Sequence, residues 1–349
     1  MQNHFPRVLL AACLCAVAAA QGPGTDGQRP PAPRPSLDPL LGGLGFEPSA
    51  SSRYADLARQ DTDYSLYSMF QQHHGDFMQR RERYNPGVEL RGRLLPNYAI
   101  KNEPGHFDLL QYGIDLEIPT LVSSDGYLLF GAYYDGRQYQ TKDMQLGDET
   151  LNAVGAKVGF GAFLDDNVFL ELTLAPGIWS DLDGGLHHKD FDFPGKVLFT
   201  WRTTPDFFFK LGARYNQVFE EAPWLPYLGF SWNLSENFRL DVLAPESLEF
   251  SWWPNATFGI PIGAEITGAQ YHVRTAAGAG NERDDVQVQE IVVYGGLIIR
   301  PSDHFSITGK AGVTVAGDYD LTSGAAGFNR VEGTLERGFF AEVSIGFDF

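Results

Sequence analysis

The densest run of potential metal ligands lies between Ser180 and Phe193, where Asp181, Asp183, His187, His188, Asp190 and Asp192 follow one another closely. Oxygen ligands at two-residue spacing suit a hard divalent cation such as calcium or magnesium. The spacing lacks the Gly and the closing Glu of an EF-hand loop, so a solvated acidic loop accounts for it better, and no metal site is assigned. His73-His74-Gly75-Asp76 could also be read as ligands, but adjacent histidines on a helix point to different faces. Acyl-transfer chemistry would need a nucleophile beside a base. The remaining histidines, His106, His187, His188, His272 and His304, occur without a Gly-x-Ser-x-Gly motif and without a serine that strand spacing brings to His272. No catalytic residue and no cofactor is expected. Trp201, Trp224, Trp232, Trp252 and Trp253 could form a sugar platform, yet their nearness to strand ends fits an interface belt better.

A larger set of charges recurs at every second position, which is strand spacing. Phe207, Phe209, Leu211, Ala213 and Tyr215 alternate with Lys210, Gly212, Arg214 and Asn216; Phe305, Ile307, Ala311, Val313 and Val315 alternate with Ser306, Thr308, Lys310 and Thr314. In lipid every backbone polar group must be paired within the protein, which for strands means closure into a barrel with the apolar side outward. Carrying that phase around, the inward bases are Arg91, Arg93, Lys157, Lys196, Arg202, Lys210, Arg214, Arg239 and Lys310. The inward acids are Glu89, Asp115, Glu117, Glu171, Asp241, Glu249, Glu265, Glu342 and Asp348. The lumen-lining set expected to matter most is Arg91, Arg93, Asp115, Glu117, Lys157, Glu171, Lys210, Arg214, Glu265 and Lys310. Bases and acids balance, so a paired network is expected rather than a strongly ion-selective pore.

The elements that must hold these charges are strand-like segments near 87–96, 107–122, 126–139, 150–164, 167–178, 194–203, 206–217, 225–233, 237–244, 247–253, 257–274, 285–300, 304–316 and 335–349. This gives about fourteen strands, or twelve if the segments around 245–246 are misassigned. Tight turns such as Asp165-Asp166-Asn167 and Ser235-Glu236-Asn237 follow even-numbered segments and longer links follow odd-numbered ones, with 245–246 the exception. That sorting is expected of an outer-membrane up-and-down barrel with both ends in the periplasm; a Greek-key sandwich has no reason for it. Segment 286–299 does not phase cleanly, so a bulge is expected there.

The chain opens on a secretory signal over 1–20: Arg7, an apolar core from Val8 to Ala20, and small residues before Gln21. Both cysteines, Cys13 and Cys15, lie inside it. Residues 21–52 are Pro- and Gly-rich and read as a disordered linker. Residues 53–86 are polar, with Leu57, Tyr64, Tyr67, Phe70 and Phe77 at loosely helical spacing, and read as a helical periplasmic segment or plug ahead of the barrel at 87–349. After residue 20 no window is long and apolar enough for a membrane-spanning helix. The net charge of −18 argues against nucleic acid, which needs a basic surface.

The final strand, Gly338 to Phe349, is apolar at Ala341, Val343, Ile345, Phe347 and Phe349 and polar or small between them. It resembles the C-terminal signature of bacterial outer-membrane β-barrels, in which a terminal Phe is read by the insertion machinery; Ser344 stands where that pattern usually has Gly. Ala175-Pro176-Gly177-Ile178-Trp179-Ser180-Asp181, Pro226-Tyr227-Leu228-Gly229-Phe230 and Leu240-Asp241-Val242-Leu243-Ala244-Pro245 extend the likeness. Together they resemble a family of bacterial outer-membrane β-barrel proteins with no known activity, over about 87–349. The resemblance implies the architecture, with outer-membrane lipid, lipopolysaccharide and the insertion machinery as surroundings. The expected function is passage of small solutes, with 54–84 as a candidate plug. The alternative is an anchoring barrel whose loops or tail bind a partner.

Overall fold

The structure, a computed structural model, describes residues 87–348 apart from 102–104, 124, 144–148, 183–184, 217–222, 275–282, 303 and 323–330, together with Phe70, His73, His74 and Phe77. The expected signal over 1–20, the linker over 21–52, most of 53–86, and Phe349 lie outside the described residues. In chain order the strands are β1 (Gly87–Tyr98), β2 (His106–Val122), β3 (Gly126–Lys142), β4 (Glu149–Asp165), β5 (Val168–Leu174), β6 (Gly177–Ser180), β7 (Phe191–Asp192), β8 (Gly195–Thr204) and β9 (Phe207–Tyr215). They continue with β10 (Trp224–Asn233), β11 (Phe238–Ala244), β12 (Ser247–Trp252), β13 (Phe258–Arg274), β14 (Arg283–Ser302), β15 (Phe305–Thr322), β16 (Val331–Thr334) and β17 (Gly338–Asp348).

Neighbouring staves pair antiparallel, with one parallel bridge between β6 and β13, and β17 returns to pair with β1 from Gly87↔Asp348 to Leu94↔Ala341, closing the barrel. Three staves are interrupted: β5 and β6 both lie on β4, β7 and β8 form one line opposite them, and β16 and β17 both lie on β15. The seventeen strands therefore make fourteen staves. Two interruptions fall at Pro176 and Pro194, which lack the N–H a ladder needs. The carbonyls there still accept, Pro176 from Ala156 N at 3.0 Å and Pro194 from Ala175 N at 2.8 Å. Tight turns cluster at the end where β1 begins and β17 finishes, and the longer links lie at the other end, save for the short β11–β12 connection.

Strand lengths split the barrel in two. β2, β3, β4 and β13 each run 17 residues, β14 runs 20 and β15 runs 18, whereas β8 to β12 run 10, 9, 10, 7 and 6. Beyond the ends of the short strands the long ones close on themselves, and β6 meets β13 side by side at Ser180↔His272. The result is a wide fourteen-stave barrel at the short-turn end and a nine-stave neck at the long-loop end.

Polarity inverts between the two parts along the same strands. In the wide part Tyr112, Ile114, Phe130, Phe160, Leu172, Leu211, Leu228, Ile262 and Val343 are exposed outward, an apolar belt of the kind lipid solvates. In the neck the buried residues point inward, among them Leu95, Tyr98, Phe107, Leu109, Tyr139, Leu151, Tyr271, Val273, Val286, Val288 and Tyr319. Leu94, Leu110 and Phe339 carry the apolar face to the lower edge of the neck, and the other outward residues there include Asp108, Gln138, Gln140, Asn152, Gln287, Gln289 and Asp318. The neck is thus patterned like a water-soluble barrel with a dry core. That core takes no side chain from β7 to β12, which end below it.

The expected bulge is present between Ile291 and Val292, but β14 keeps its alternation through it. Ala316 pairs with Ile291 and Thr314 with Val292, so the extra residue is Val315 on β15. The bulge turns Thr314 inward below and Tyr319 inward above, which fits β15 to both parts of the barrel.

Candidate functional site: a charge-lined chamber

The wide part encloses a chamber whose wall on β1, β2, β17, β12 and β13 is mainly acidic. Glu89 and Asp115 are cross-strand partners, as are Glu249 and Gly263, and Glu342 follows on β17 opposite Arg93. Like charges directly opposite destabilise a sheet unless compensated. Lys157 supplies part of the compensation, bonded to Asp115 and 3.3 Å from Glu117. Lys310 Nζ lies 3.7 Å from Glu265 and 4.4 Å from the centre of the Tyr294 ring, and the Tyr294 hydroxyl donates to Glu249 at 2.7 Å.

The facing wall, on β8, β9 and β11, is mainly basic. Lys196 and Arg214 are cross-strand partners. Lys210 reaches Asp241 at 3.8 Å, and Arg239 donates to the same carboxylate at 2.6 and 2.9 Å while Ser231 bonds it from β10. At the long-loop ends of these short strands Arg214 donates to Glu246 at 3.0 Å, and the Tyr227 hydroxyl bonds the second oxygen of Glu246. Lys196 and Glu171 have no ion-pair partner among the described residues. The chamber is wet: Arg91 points inward, yet its side chain is 49% exposed.

A polar layer, buried at Arg93, Arg137 and Glu290, separates the chamber from the neck core. Arg91 donates to Asp135 at 2.8 Å and the Tyr271 hydroxyl donates to the other oxygen of Asp135 at 3.0 Å, while Arg137 lies beside both, 5.4 Å over the Tyr271 ring. One stave group further round, Arg93 meets Glu290 at 3.2 Å and stacks 4.3 Å over Phe340. Thr314 donates to the same Glu290 oxygen at 3.4 Å and is bonded in turn by Tyr98.

At the short-turn end the mouth is lined by Tyr127, Leu129, Phe163, Phe169 and Phe208. Phe70 and Phe77 are buried among them. His73 stacks on Phe163 at 4.0 Å, and Arg202 lies over the Phe77 ring at 5.4 Å while donating to the Phe77 carbonyl at 3.4 Å. Phe70, His73, His74 and Phe77 are helical and stand at i, i+3, i+4 and i+7, one face of a helix turned into the barrel.

All ten charges singled out from the sequence, Arg91, Arg93, Asp115, Glu117, Lys157, Glu171, Lys210, Arg214, Glu265 and Lys310, lie on the inward phase, though Arg93 sits in the dry layer rather than the chamber. Four charges escaped that reading: Asp135, Arg137, Glu246 and Glu290. The first two and Glu290 sit where the polarity inverts, so no single outward-apolar rule assigns them; Glu246 lies in the short β11–β12 connection.

Within the loop after β6, Asp190 is fully buried and accepts from His187 N at 2.7 Å, and Asp192 accepts from Phe193 N at 2.6 Å. These carboxylates cap backbone. Among the described residues no three His, Cys, Asp or Glu groups converge on a metal position; Asp183 lies outside them. The closure of β6 on β13, rather than strand spacing, brings a serine beside His272. That Ser180 is fully buried and donates to Asp181 at 3.1 Å, while His272 is bonded to Asp285. Trp201, Trp224 and Trp252 are exposed on the outside near strand ends, the placement of a belt.

A family model described as "Domain of unknown function (DUF6268)" matches residues 129–346. No curated protein is matched by the sequence. Among solved structures the chain is similar to the "KdgM porin" at 8% identity, covering 75% of this chain and 99% of that one with a TM-score of 0.34. It is similar to the Pseudomonas putida toluene transporter TodX at 9% identity, covering 77% and 91% with a TM-score of 0.39. It is also similar to the translocator domain of the autotransporter NalP from Neisseria meningitidis at 8% identity, covering 82% and 98% with a TM-score of 0.36.

Proposed function

The chain belongs to the family of the domain of unknown function DUF6268, and on that footing we propose that it is an outer-membrane barrel that passes small polar solutes under control of its own N-terminal segment. In this reading both barrel ends lie in the periplasm, the neck stands outside the membrane, and the apolar belt meets outer-membrane lipid and lipopolysaccharide. β17 carries the signal read by the insertion machinery, and no catalytic step is assigned. The observation that carries the reading is the chamber: it is enclosed by the membrane-facing wall, lined by charge and open to water around Arg91. Burying or half-burying so many charges is costly, and a barrel serving only as an anchor could fill its interior with apolar packing at less expense. Phe70 and Phe77, buried among the aromatic residues of the short-turn mouth, support a gate on that side.

Single-channel conductance in a planar bilayer tests this, once with residues 21–349 and once with 21–84 removed. Conductance that appears or rises strongly on truncation supports the gated reading. Equal, steady conductance from both forms would leave an open pore without a plug. Silence from both would favour the second reading, an anchoring barrel, which the filled neck with its polar outer surface also suits.

A further inference from the structure

We propose that solutes leave the chamber on the outer side through the shoulder above the short strands β8 to β12, rather than along the barrel axis, and that Lys196 and Arg214 bind an anionic group of the solute there. The inference rests on the transport reading for its purpose, but its geometry stands apart from it.

The axial route is filled. The neck above the chamber is packed with Tyr98, Phe107, Leu109, Tyr139 and Tyr271, each at most 6% exposed, and the layer below it is tied by the Arg93–Glu290 and Arg91–Asp135 pairs. Opening an axial path would mean unpacking a close-packed core and separating the buried Arg93–Glu290 pair. On the other side no comparable packing is found among the described residues, which leave out 217–222. β8 to β12 stop at the level of the apolar belt, and their ends contribute nothing to the neck core. What stands at those ends is polar and accessible: Arg214 and Glu246 have side chains 32% and 33% exposed, with Tyr227 bonded to the same carboxylate. The β11–β12 connection is two residues, Pro245 and Glu246, so the wall is lowest there.

The charge at this rim is chemically selective. Lys196 and Arg214 face the lumen directly across β8 and β9, a like-charged pair that costs stability and that Glu246 offsets only on the arginine side. Lys196 keeps its ammonium without an ion-pair partner among the described residues. An anionic group entering between them would complete the pairing that the fold leaves unmade, with the remaining guanidinium N–H groups of Arg214 as further donors. Deeper in, Glu89, Asp115, Glu117 and Glu342 present the opposite sign. The field across the chamber thus suits a small solute carrying both charges, taken by its anionic group at the shoulder.

The chain's two cysteines, Cys13 and Cys15, precede residue 21, so the 21–349 protein is free of thiols. Lys196→Cys, Arg214→Cys and Leu109→Cys are each refolded into liposomes and exposed from the long-loop side to membrane-impermeant methanethiosulfonates bearing either a sulfonate or an ammonium. The expected result is modification at 196 and 214 but not at 109, with the anionic reagent reacting at 196 about tenfold faster than the cationic one, and that preference lost when Arg214→Gln is added. Where the protein conducts, modification at 196 by the anionic reagent lowers the current by at least half. Reaction at 109 with protection of 196 and 214 would overturn the shoulder route; equal rates for the two reagents at 196 would overturn the anion site. If bilayers of both the 21–349 form and the form lacking 21–84 stay silent while 196 is modified as expected, the transport reading fails and the shoulder opening stands.

Discussion

Arg93 and Glu290 are 197 positions apart in the chain, yet their side chains meet at 3.2 Å beneath the neck, 4% and 3% exposed. They join β1 to β14 across the interior, and Phe340 and Thr314 fill the remaining faces of the pair. Here the barrel passes from a wet, charged interior to a dry one, so neither charge can recruit water if its partner is lost.

The first prediction concerns that pair. Removing one partner from a buried ion pair costs about 3–5 kcal/mol, because the other charge is left uncompensated, whereas apolar replacement of both is often neutral or stabilising. Arg93→Met and Glu290→Leu are each expected to destabilise the refolded barrel by about that amount, and the double variant to recover most of the loss. Urea unfolding in lipid vesicles, followed by tryptophan fluorescence, measures all three. A double variant as unstable as the sum of the singles would show that the two charges do not form a unit.

Much of the barrel was legible because the rule that writes it is simple. Alternation such as Phe207, Phe209, Leu211 against Lys210, Arg214 reports a two-faced strand, and turns such as Ser235-Glu236-Asn237 report where it ends; every expected segment has its stave. The neck was not legible, because alternation survives an inversion of polarity: Val286 and Val288 between Gln287 and Gln289 look like the same pattern whichever face is wet. Only the closure of β6 on β13 decides it, and a single Ser180↔His272 bridge far apart in sequence leaves no periodic trace. For the same reason Asp135, Arg137 and Glu290, at the level of the inversion, were passed over. Ser180 met His272 by tertiary closure, not by strand spacing.

The inversion itself is testable by a pair of arginine substitutions on adjacent strands. Ile114 on β2 is exposed outward in the apolar belt, and Gln140 on β3 is exposed outward on the neck. An arginine on the lipid face of a barrel costs about 2–4 kcal/mol near the bilayer centre. An exposed polar site in water changes by about 0.5 kcal/mol or less. Ile114→Arg is therefore expected to cost several times more than Gln140→Arg in the same vesicle unfolding assay. Equal penalties would mean that the neck is immersed in lipid and would remove the argument for a shoulder at the membrane surface.

The last prediction concerns what seats the N-terminal segment. Phe77 makes edge contacts with Phe163 and Phe208 at 5.3 and 5.7 Å and lies under Arg202, so its ring is held by apolar packing and by a cation at once. Phe70 makes an edge contact with Tyr127 at 5.3 Å and a stacked one with His74 at 5.8 Å. Truncating a packed Phe to Ala costs at least about 3 kcal/mol, which is more than a hundredfold in a docking equilibrium. Because the barrel wall closes without the segment, that loss should fall on docking alone. Phe77→Ala is expected to speed cleavage of the tail by proteinase K added to the short-turn face more than tenfold, with barrel stability unchanged. Arg202→Gln should do the same more weakly, since it removes the cation and its bond to the Phe77 carbonyl but leaves the aromatic nest intact. In the bilayer both should raise conductance towards that of the form lacking 21–84. Faster cleavage with no gain in current would make the segment a tether resting in the mouth, and the closure of the path would then have to lie at the shoulder.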